Sequence, residues 1–297
     1  MIAKQKKETL HYFKKNAETW SRNAEAIDCN RVNVIQQRNN YVMKVIDSRS
    51  QTRYGLDIGC GSGDLVCEMA RAGIDATGID FADEMIVIAK RRASQQKLVN
   101  AHFHCSSLFE YNIQKGQYDI LSANGFIEYI LPDELNKFLD LAYDAINCGG
   151  SLVLGSRNRL FNILSANSFT LEEINNDSIN LLLKEAIAIA SGMSLDKLAE
   201  IEKAPPQQPD IEHESTGIRV STRYQFTPAQ LIALLKERGF ITVHLYPIHV
   251  HGVLPFFKRQ HPRIHTDISI ALQNFADENT SLILQSSSFM LHAMKLN

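Results

Sequence analysis

A chain of 297 residues is long enough for one sizeable core with additions, or for two small domains. Apolar residues make up 44% and charged residues 22%, a globular balance that excludes a disordered or fibrous chain. With 31 basic and 33 acidic side chains, the net charge of −2 gives no general electrostatic reason to bind nucleic acid or an anionic membrane.

Leu10, Phe13, Ala17 and Trp20 recur every three or four residues, which predicts an amphipathic helix over about 8–26. Lys4, Lys6, Lys7, Lys14 and Lys15 form a basic cluster interrupted by Glu8, the pattern of a solvated helix face. A second helix, Val32–Asp47, leads to a strand at Tyr54–Ile58. That strand breaks into Gly59-Cys60-Gly61-Ser62-Gly63 and passes into a helix over Asp64–Ala72, stopped by Gly73. A strand Ala76–Ile79 ending in Asp80 follows, then a helix Phe81–Ala93. Its acids Asp83 and Glu84 and its bases Arg91 and Arg92 sit at the ends that suit the helix dipole. Strands Ala101–Cys105 and Tyr118–Ala123 come next. Pro132 opens a helix to about Ile146, and Gly149-Gly150 turns into a strand at Ser151–Leu154. Such alternation implies a parallel sheet with helices on both faces.

Beyond Leu154 the alternation stops, and residues 157–222 carry helix signals without a convincing strand. Thr170 and Glu173 fit a capping box, helices are expected at Ser178–Ala190 and Ser194–Glu202, and a proline-rich loop covers Ala204–Pro209. Thr227-Pro228 starts a helix that ends at Gly239, and Ile241–His249 and Ser287–Lys295 read as final strands.

Two features point to a ligand. Three glycines at two-residue spacing let backbone approach a bound group, and the N–H groups at the following helix start favour a carboxylate or phosphate. Asp80, about 20 residues further on at the tip of the next strand, is placed to accept hydrogen bonds from ribose hydroxyls. Together they specify a cofactor containing a nucleoside. The loop reads G-x-G-x-G and not G-x-G-x-x-G, Asp57 precedes it by two residues, and the Gly-Lys-Ser/Thr of a P-loop is absent.

Acid-x-G-x-G-x-G, strand, then Asp80 resembles the S-adenosylmethionine (SAM) site of the class I methyltransferase family. The resemblance covers about residues 50–156 and 224–297. It implies an α/β, doubly wound, seven-stranded Rossmann-like sheet of order 3-2-1-4-5-7-6, whose antiparallel seventh strand is Ser287–Lys295. It also implies a division into cap helices at 1–50, a SAM-binding core at 51–156, a helical lid insertion for the acceptor at 157–222, and the rest of the same sheet at 223–297. Asp57, Gly59, Cys60, Gly61 and Gly63 then face the methionine part of SAM, and Asp80 its ribose. Phe81 and Met85 line the adenine pocket, although Met85 also suits a helix core. Where the family carries an acid after strand 3, this chain has Ser106-Ser107-Leu108, so any adenine contact there lacks the charge. Asn124 and Gly125 fall beside the sulfonium, and Tyr129 faces the acceptor.

The chain lacks the N/D-P-P-Y/F motif of exocyclic amino methylation and the Pro-Cys nucleophile of cytosine methylation. The expected reaction is methyl transfer to a small molecule, at oxygen, by in-line displacement aided mainly by alignment. Nitrogen and carbon acceptors stay open, as do an RNA or protein acceptor and a SAM-binding regulatory subunit without activity. Candidate bases are Glu128, His249 and His251, with Glu128 also readable as a solvated acid at a helix start and the histidines as structural. Arg157, Asn158, Arg159, Arg219 and Arg223 either form a positive wall for the acceptor or bridge lid to core. Tyr12, Phe13 and Trp20 either close over SAM or pack as a stripe. His249-x-His251 has the spacing of a metal pair, but no acid lies close in sequence, so no metal is expected. Five cysteines, Cys29, Cys60, Cys67, Cys105 and Cys148, lack Cys-x-x-Cys spacing and favour reduced thiols. With no apolar signal segment and no run of roughly 18 apolar residues, the expected location is the cytoplasm.

Overall fold

A computed structural model describes residues 2–25, 31–49, 51–207 and 224–296. Two helices, α1 (Ile2–Glu25) and α2 (Val34–Asp47), precede the sheet. Asn33 starts α2 by accepting a bond from the Gln36 N–H at 3.0 Å. The alternating part then runs β1 (Tyr54–Ile58), α3 (Asp64–Arg71), β2 (Asp75–Asp80), α4 (Asp83–Gln95), β3 (Ala101–Cys105), β4 (Tyr118–Asn124), α5 (Pro132–Ala145) and β5 (Ile146–Arg157). Among the described residues α6 (Asn162–Ser165), α7 (Ser168–Asn175), α8 (Ile179–Ala190) and α9 (Leu195–Leu198) follow. The chain returns through α10 (Pro228–Lys236), β6 (Phe240–Val250), α11 (Pro255–Gln260), α12 (Pro262–Gln273) and β7 (Ser286–Lys295).

The seven strands form one sheet of order β3-β2-β1-β4-β5-β7-β6, as the resemblance implied. Neighbours from β3 to β5 are parallel, and β7 is antiparallel to both β5 and β6. Central strands are apolar on both faces because helices cover both. Side chains alternate between faces along each strand. Leu121, Leu152 and Leu154 therefore join a cluster with α5, α8 and α10, while Ile120 and Val153 join one with α2, α3 and α4.

Three local expectations are corrected. The cap of α7 is Asn167 with Thr170 at its third position, because Asn167 accepts the Phe169 N–H at 3.0 Å. Glu173 is instead buried in an ion pair with Arg159, described below. β5 begins at Ile146, before the two glycines, since Ile146 pairs with Tyr118 and the register shifts before Ser151 pairs with Ile120. Arg92 does not only complement the dipole of α4: it reaches Asp64 at 2.6 Å, the Ser62 carbonyl at 2.7 Å and Ser21 Oγ at 3.1 Å. It thereby ties α1 to the glycine turn.

The described part of the insertion, residues 157–207, packs against α10 and β6. Leu182, Ala188, Ile189 and Leu198 share a cluster with Leu231, Leu235, Phe240 and Ile283. No helix among the described residues is long and apolar enough to cross a membrane. Cys60, Cys67, Cys105 and Cys148 are free thiols, and Cys29 lies outside the described residues.

Candidate functional site

The strand ends of β1, β2 and β4 open into a cavity of about 390 Å³. Its floor is Asp57 to Ser62, Asp64, Asp80 and Phe81, with Ser106 to Phe109 on one side and Asn124 to Phe126 on the other. Its roof comes from the N-terminal helices, through Lys7, Leu10, Phe13 and Trp20 of α1 and Ile35, Arg38 and Asn39 of α2. No residue of 157–207 lines it. Phe13 meets Tyr129 edge to face at 5.4 Å and Trp20 at 5.9 Å, so the stripe packs as one, and of its three rings Phe13 and Trp20 border the cavity while Tyr12 does not. Lys14 fastens α1 to α4 through Asp83 at 2.5 Å and Glu84 at 3.6 Å.

The glycine turn has a physical cause at each position. Gly59, Gly61 and Gly63 adopt φ of +70°, +50° and +75°, the left-handed region that other residues avoid. A Cβ at Gly63 would sit 2.6 Å from the Phe103 ring and 2.7 Å from Ala89, so this position is closed to larger residues. A Cβ at Gly61 would meet nothing within 4 Å, because that residue borders the cavity. The Gly59 and Cys60 N–H groups both donate to the Ile79 carbonyl, at 2.8 and 3.1 Å, which locks the turn to β2. Asp80 holds it from the other side: its carboxylate accepts from Gly61 N–H at 3.0 Å and Ala82 N–H at 2.9 Å.

Burial sets the charge state of the floor. Asp57 is 4% exposed, and burial pushes its carboxyl up to about 8, with Asp80 and Asp64 adding repulsion. Its Oδ1 has no partner among the described groups, and neither has the side-chain amide of Asn124 across the cavity. Burial also raises Asp80, although the Ala82 and Gly61 N–H groups oppose it. The Cys60 thiol is raised by burial too, which makes it a small filler and not a nucleophile. Met85 is 3% exposed among Ala17, Ala82 and Ile88 and still borders the cavity.

Glu128 lies in a short 3-10 turn, Ile127–Tyr129, at the cavity wall. It is 1% exposed, with Arg38 at 3.4 Å and Arg157 at 3.8 Å. It is therefore no solvated acid but the centre of a buried ion-pair group. Arg38 was not legible in the sequence as a site residue. Its guanidinium donates to Ser288 Oγ at 3.0 Å and needs the space left by Gly125, where a Cβ would lie 2.6 Å from Nη1.

The remaining candidates fall elsewhere. Asn158 is buried and donates to the carbonyls of Ile283 and Ser286 at 2.7 and 2.9 Å, fastening β5 to the chain before β7. Arg157 touches Glu128 from behind, and neither it nor Asn158 borders the cavity. Arg159 bridges within the insertion, bonding Glu173 through two parallel contacts at 2.8 and 2.7 Å. Arg219 and Arg223 lie outside the described residues. His249 and His251 sit at the end of β6, buried with His265 of α12, and do not border the cavity. Burial first, then nearby cations and imidazoles, lowers all three, His251 to about 2 and His265 to about 4, which favours the neutral imidazole at each. His244 is bonded to the Tyr41 hydroxyl at 2.8 Å.

The Asp57 carboxyl, with one oxygen unpartnered, the Asn124 amide, the glycine backbone and the acid at the β2 tip together line a cradle for an elongated, polar, nucleoside-bearing group. Residues 56–150 match a family described as a methyltransferase domain. A ubiquinone biosynthesis O-methyltransferase of Coxiella burnetii is 31% identical over 109 residues, 37% of this chain and 45% of the relative. One of Acinetobacter baylyi is 32% identical over 117 residues, 37% and 48% of the two chains. The chain thus spans about half the length of these curated relatives. Magnesium protoporphyrin IX methyltransferase of Synechocystis, solved with bound S-adenosylhomocysteine (SAH), superposes with a TM-score of 0.56 at 15% identity, covering 98% of this chain and 99% of that one. A SAM-dependent methyltransferase of Methanosarcina mazei gives 0.52 at 17% identity, covering 85% and 97%. At these identities the solved structures share the fold. Residues 56–150 thus carry a methyltransferase domain, set in a sheet whose fold the chain shares with SAM-dependent methyltransferases.

Proposed function

We propose that the protein transfers a methyl group from SAM to the oxygen of a small-molecule acceptor. The observation that carries this reading is the roofed cavity itself, in which the glycine turn, Asp57, Asp80 and Asn124 meet beneath the aromatic side chains of α1. The residues fit SAM at both ends. Asp57 offers an unpartnered carboxyl oxygen for the ammonium, and Asp80, kept in place by two N–H groups, has lone pairs left for ribose hydroxyls. Phe81, Met85 and Ser106 to Leu108 would enclose the adenine. Bound SAM supplies an activated sulfonium methyl, so the chain's own work is alignment and the exclusion of water.

Leu10, Phe13, Trp20, Phe126, Tyr129 and Ile130 give the rest of the cavity an apolar, aromatic character. That lining favours a small apolar or aromatic acceptor over a nucleic acid strand, and the net charge of −2 agrees. An oxygen acceptor draws its support from the curated relatives, which are O-methyltransferases. Of the three candidate bases, only Glu128 borders the cavity, so it is the group assigned to take the acceptor's proton. Its pairing with Arg38 and Arg157 keeps it oriented.

Calorimetric titration with SAM and SAH, followed by transfer of labelled methyl groups to a panel of phenols, catechols and carboxylic acids, tests this directly. Saturable SAM binding with one labelled oxygen ether or ester supports the proposal. SAM binding with no single-turnover transfer to any member would favour a regulatory SAM-binding subunit, and labelling of added RNA or protein instead would move the acceptor class.

A further inference from the structure

The end of β6 carries a second buried site, apart from the cavity. One nitrogen from each of His249, His251 and His265 lies within 4.8 Å of the others. The ring centroids are 4.2, 4.7 and 5.3 Å apart, and the three residues are 7%, 8% and 1% exposed. Both ring nitrogens of His251 and the Nδ1 of His265 have no partner among the described groups. Buried imidazole nitrogens without partners are uncommon, because each has lost its water. His249 is oriented from outside: its Nδ1 meets Ser287 Oγ at 2.9 Å, which turns Nε2 toward the other rings. Its backbone is also held in the left-handed region at φ +55°, a strained conformation that persists only where the surroundings enforce it.

We propose that His249, His251 and His265 form a binding site for a late first-row divalent metal ion of the zinc type. Three imidazoles without a carboxylate suit zinc or its neighbours and not calcium or magnesium. Zinc–nitrogen bonds of about 2.0–2.1 Å in a tetrahedral site put ligand nitrogens about 3.3 Å apart. Nε2 of His249 and Nε2 of His265 are already 3.1 Å apart. The Ser287 contact on Nδ1 is the outer hydrogen bond that metal-bound histidines usually make. Because two ligands come from the sheet edge and the third from α12, the ion would pin that helix to β6. The Lys258 Nζ, 3.3 Å from His249 Nε2, opposes a dication and must swing aside on binding. The sequence pattern hid this site because the third ligand is a histidine on a later helix and not a nearby acid.

The test uses untagged full-length protein, stripped with chelator and titrated with Zn²⁺ and, as a visible probe, Co²⁺. One equivalent retained through desalting, the absorption of four-coordinate cobalt and a raised melting temperature are expected. His265→Ala and His251→Phe should each weaken retention at least about tenfold, the scale at which metal sites respond even to outer partners. The phenylalanine preserves packing against Phe161, 4.5 Å away, should the alanine variant not fold. Lys258→Met should tighten binding. Folded wild-type protein that retains no metal, or variants that retain as much as wild type, would overturn the proposal and leave the cluster as neutral packing.

Discussion

Asp80→Ala separates the turn-holding role that the structure shows from the ribose-binding role proposed for the same side chain. The substitution removes the acceptors of the Gly61 and Ala82 N–H groups, at 3.0 and 2.9 Å. A hydrogen bond to a charged acceptor contributes about 1.5–3 kcal/mol, so two amount to about 3–6 kcal/mol. Burial offsets part of this, since the carboxylate is 8% exposed and its burial outweighs those same bonds in raising its pKa. What remains is the penalty on the two N–H groups left without an acceptor, about 1–3 kcal/mol, read as a lower urea midpoint. A separate loss falls on the cofactor: missing ribose bonds weaken SAM by about 1–3 kcal/mol, roughly 5- to 150-fold. Asp80→Asn retains one acceptor and should fall between. Urea unfolding with and without SAH, with calorimetry on the folded fraction, reads both quantities. An unchanged urea midpoint would refute the turn-holding role, and unchanged SAM affinity in folded variant would refute the ribose assignment.

Arg159→Met leaves Glu173, 1% exposed, as a buried charge without its guanidinium and should cost about 3–5 kcal/mol in urea unfolding. Adding Glu173→Leu should recover much of that loss, and a double variant no better than the single would contradict the reasoning. Asp57 has a raised folded pKa, so its contribution to stability is full below 3.8 and is lost as pH rises toward about 8. The urea midpoint should decline over that window, and Asp57→Asn should flatten the decline; parallel pH profiles for the two proteins would argue against it. Gly125→Ala places a Cβ 2.6 Å from Arg38 Nη1, displacing the guanidinium from Glu128 and Ser288. A drop of about 1–3 kcal/mol in thermal unfolding, with slower methyl transfer, is the expected result. Melting and turnover equal to wild type would mean that Arg38 is not held there.

The sheet was legible because its cause is local and periodic. Apolar runs of strand length, glycines at fixed spacing and an acid at the β2 tip are each written in a few consecutive residues, and strand order followed from the family they resemble. Asp57, Gly61, Asp80 and Asn124 were found in this way, and all border the cavity. The identity of the roof was not settled locally, since α1 is held at the cavity by contacts of Arg92, Lys14 and Phe13 with distant elements, and α2 by Arg38 bonding Ser288. Glu173 looked like a helix cap because capping is read three residues at a time. Its partner, Arg159, lies 14 residues away and acts through a buried bond that no short window contains. Arg38 and Glu128 are 90 positions apart, and His265 meets His249 only because α12 folds back on the sheet edge. Sequence by itself determined which groups line the strand ends, where spacing fixes geometry. Tertiary structure decided which charges are buried together, because desolvation and pairing depend on neighbours that the chain brings in from far along its length.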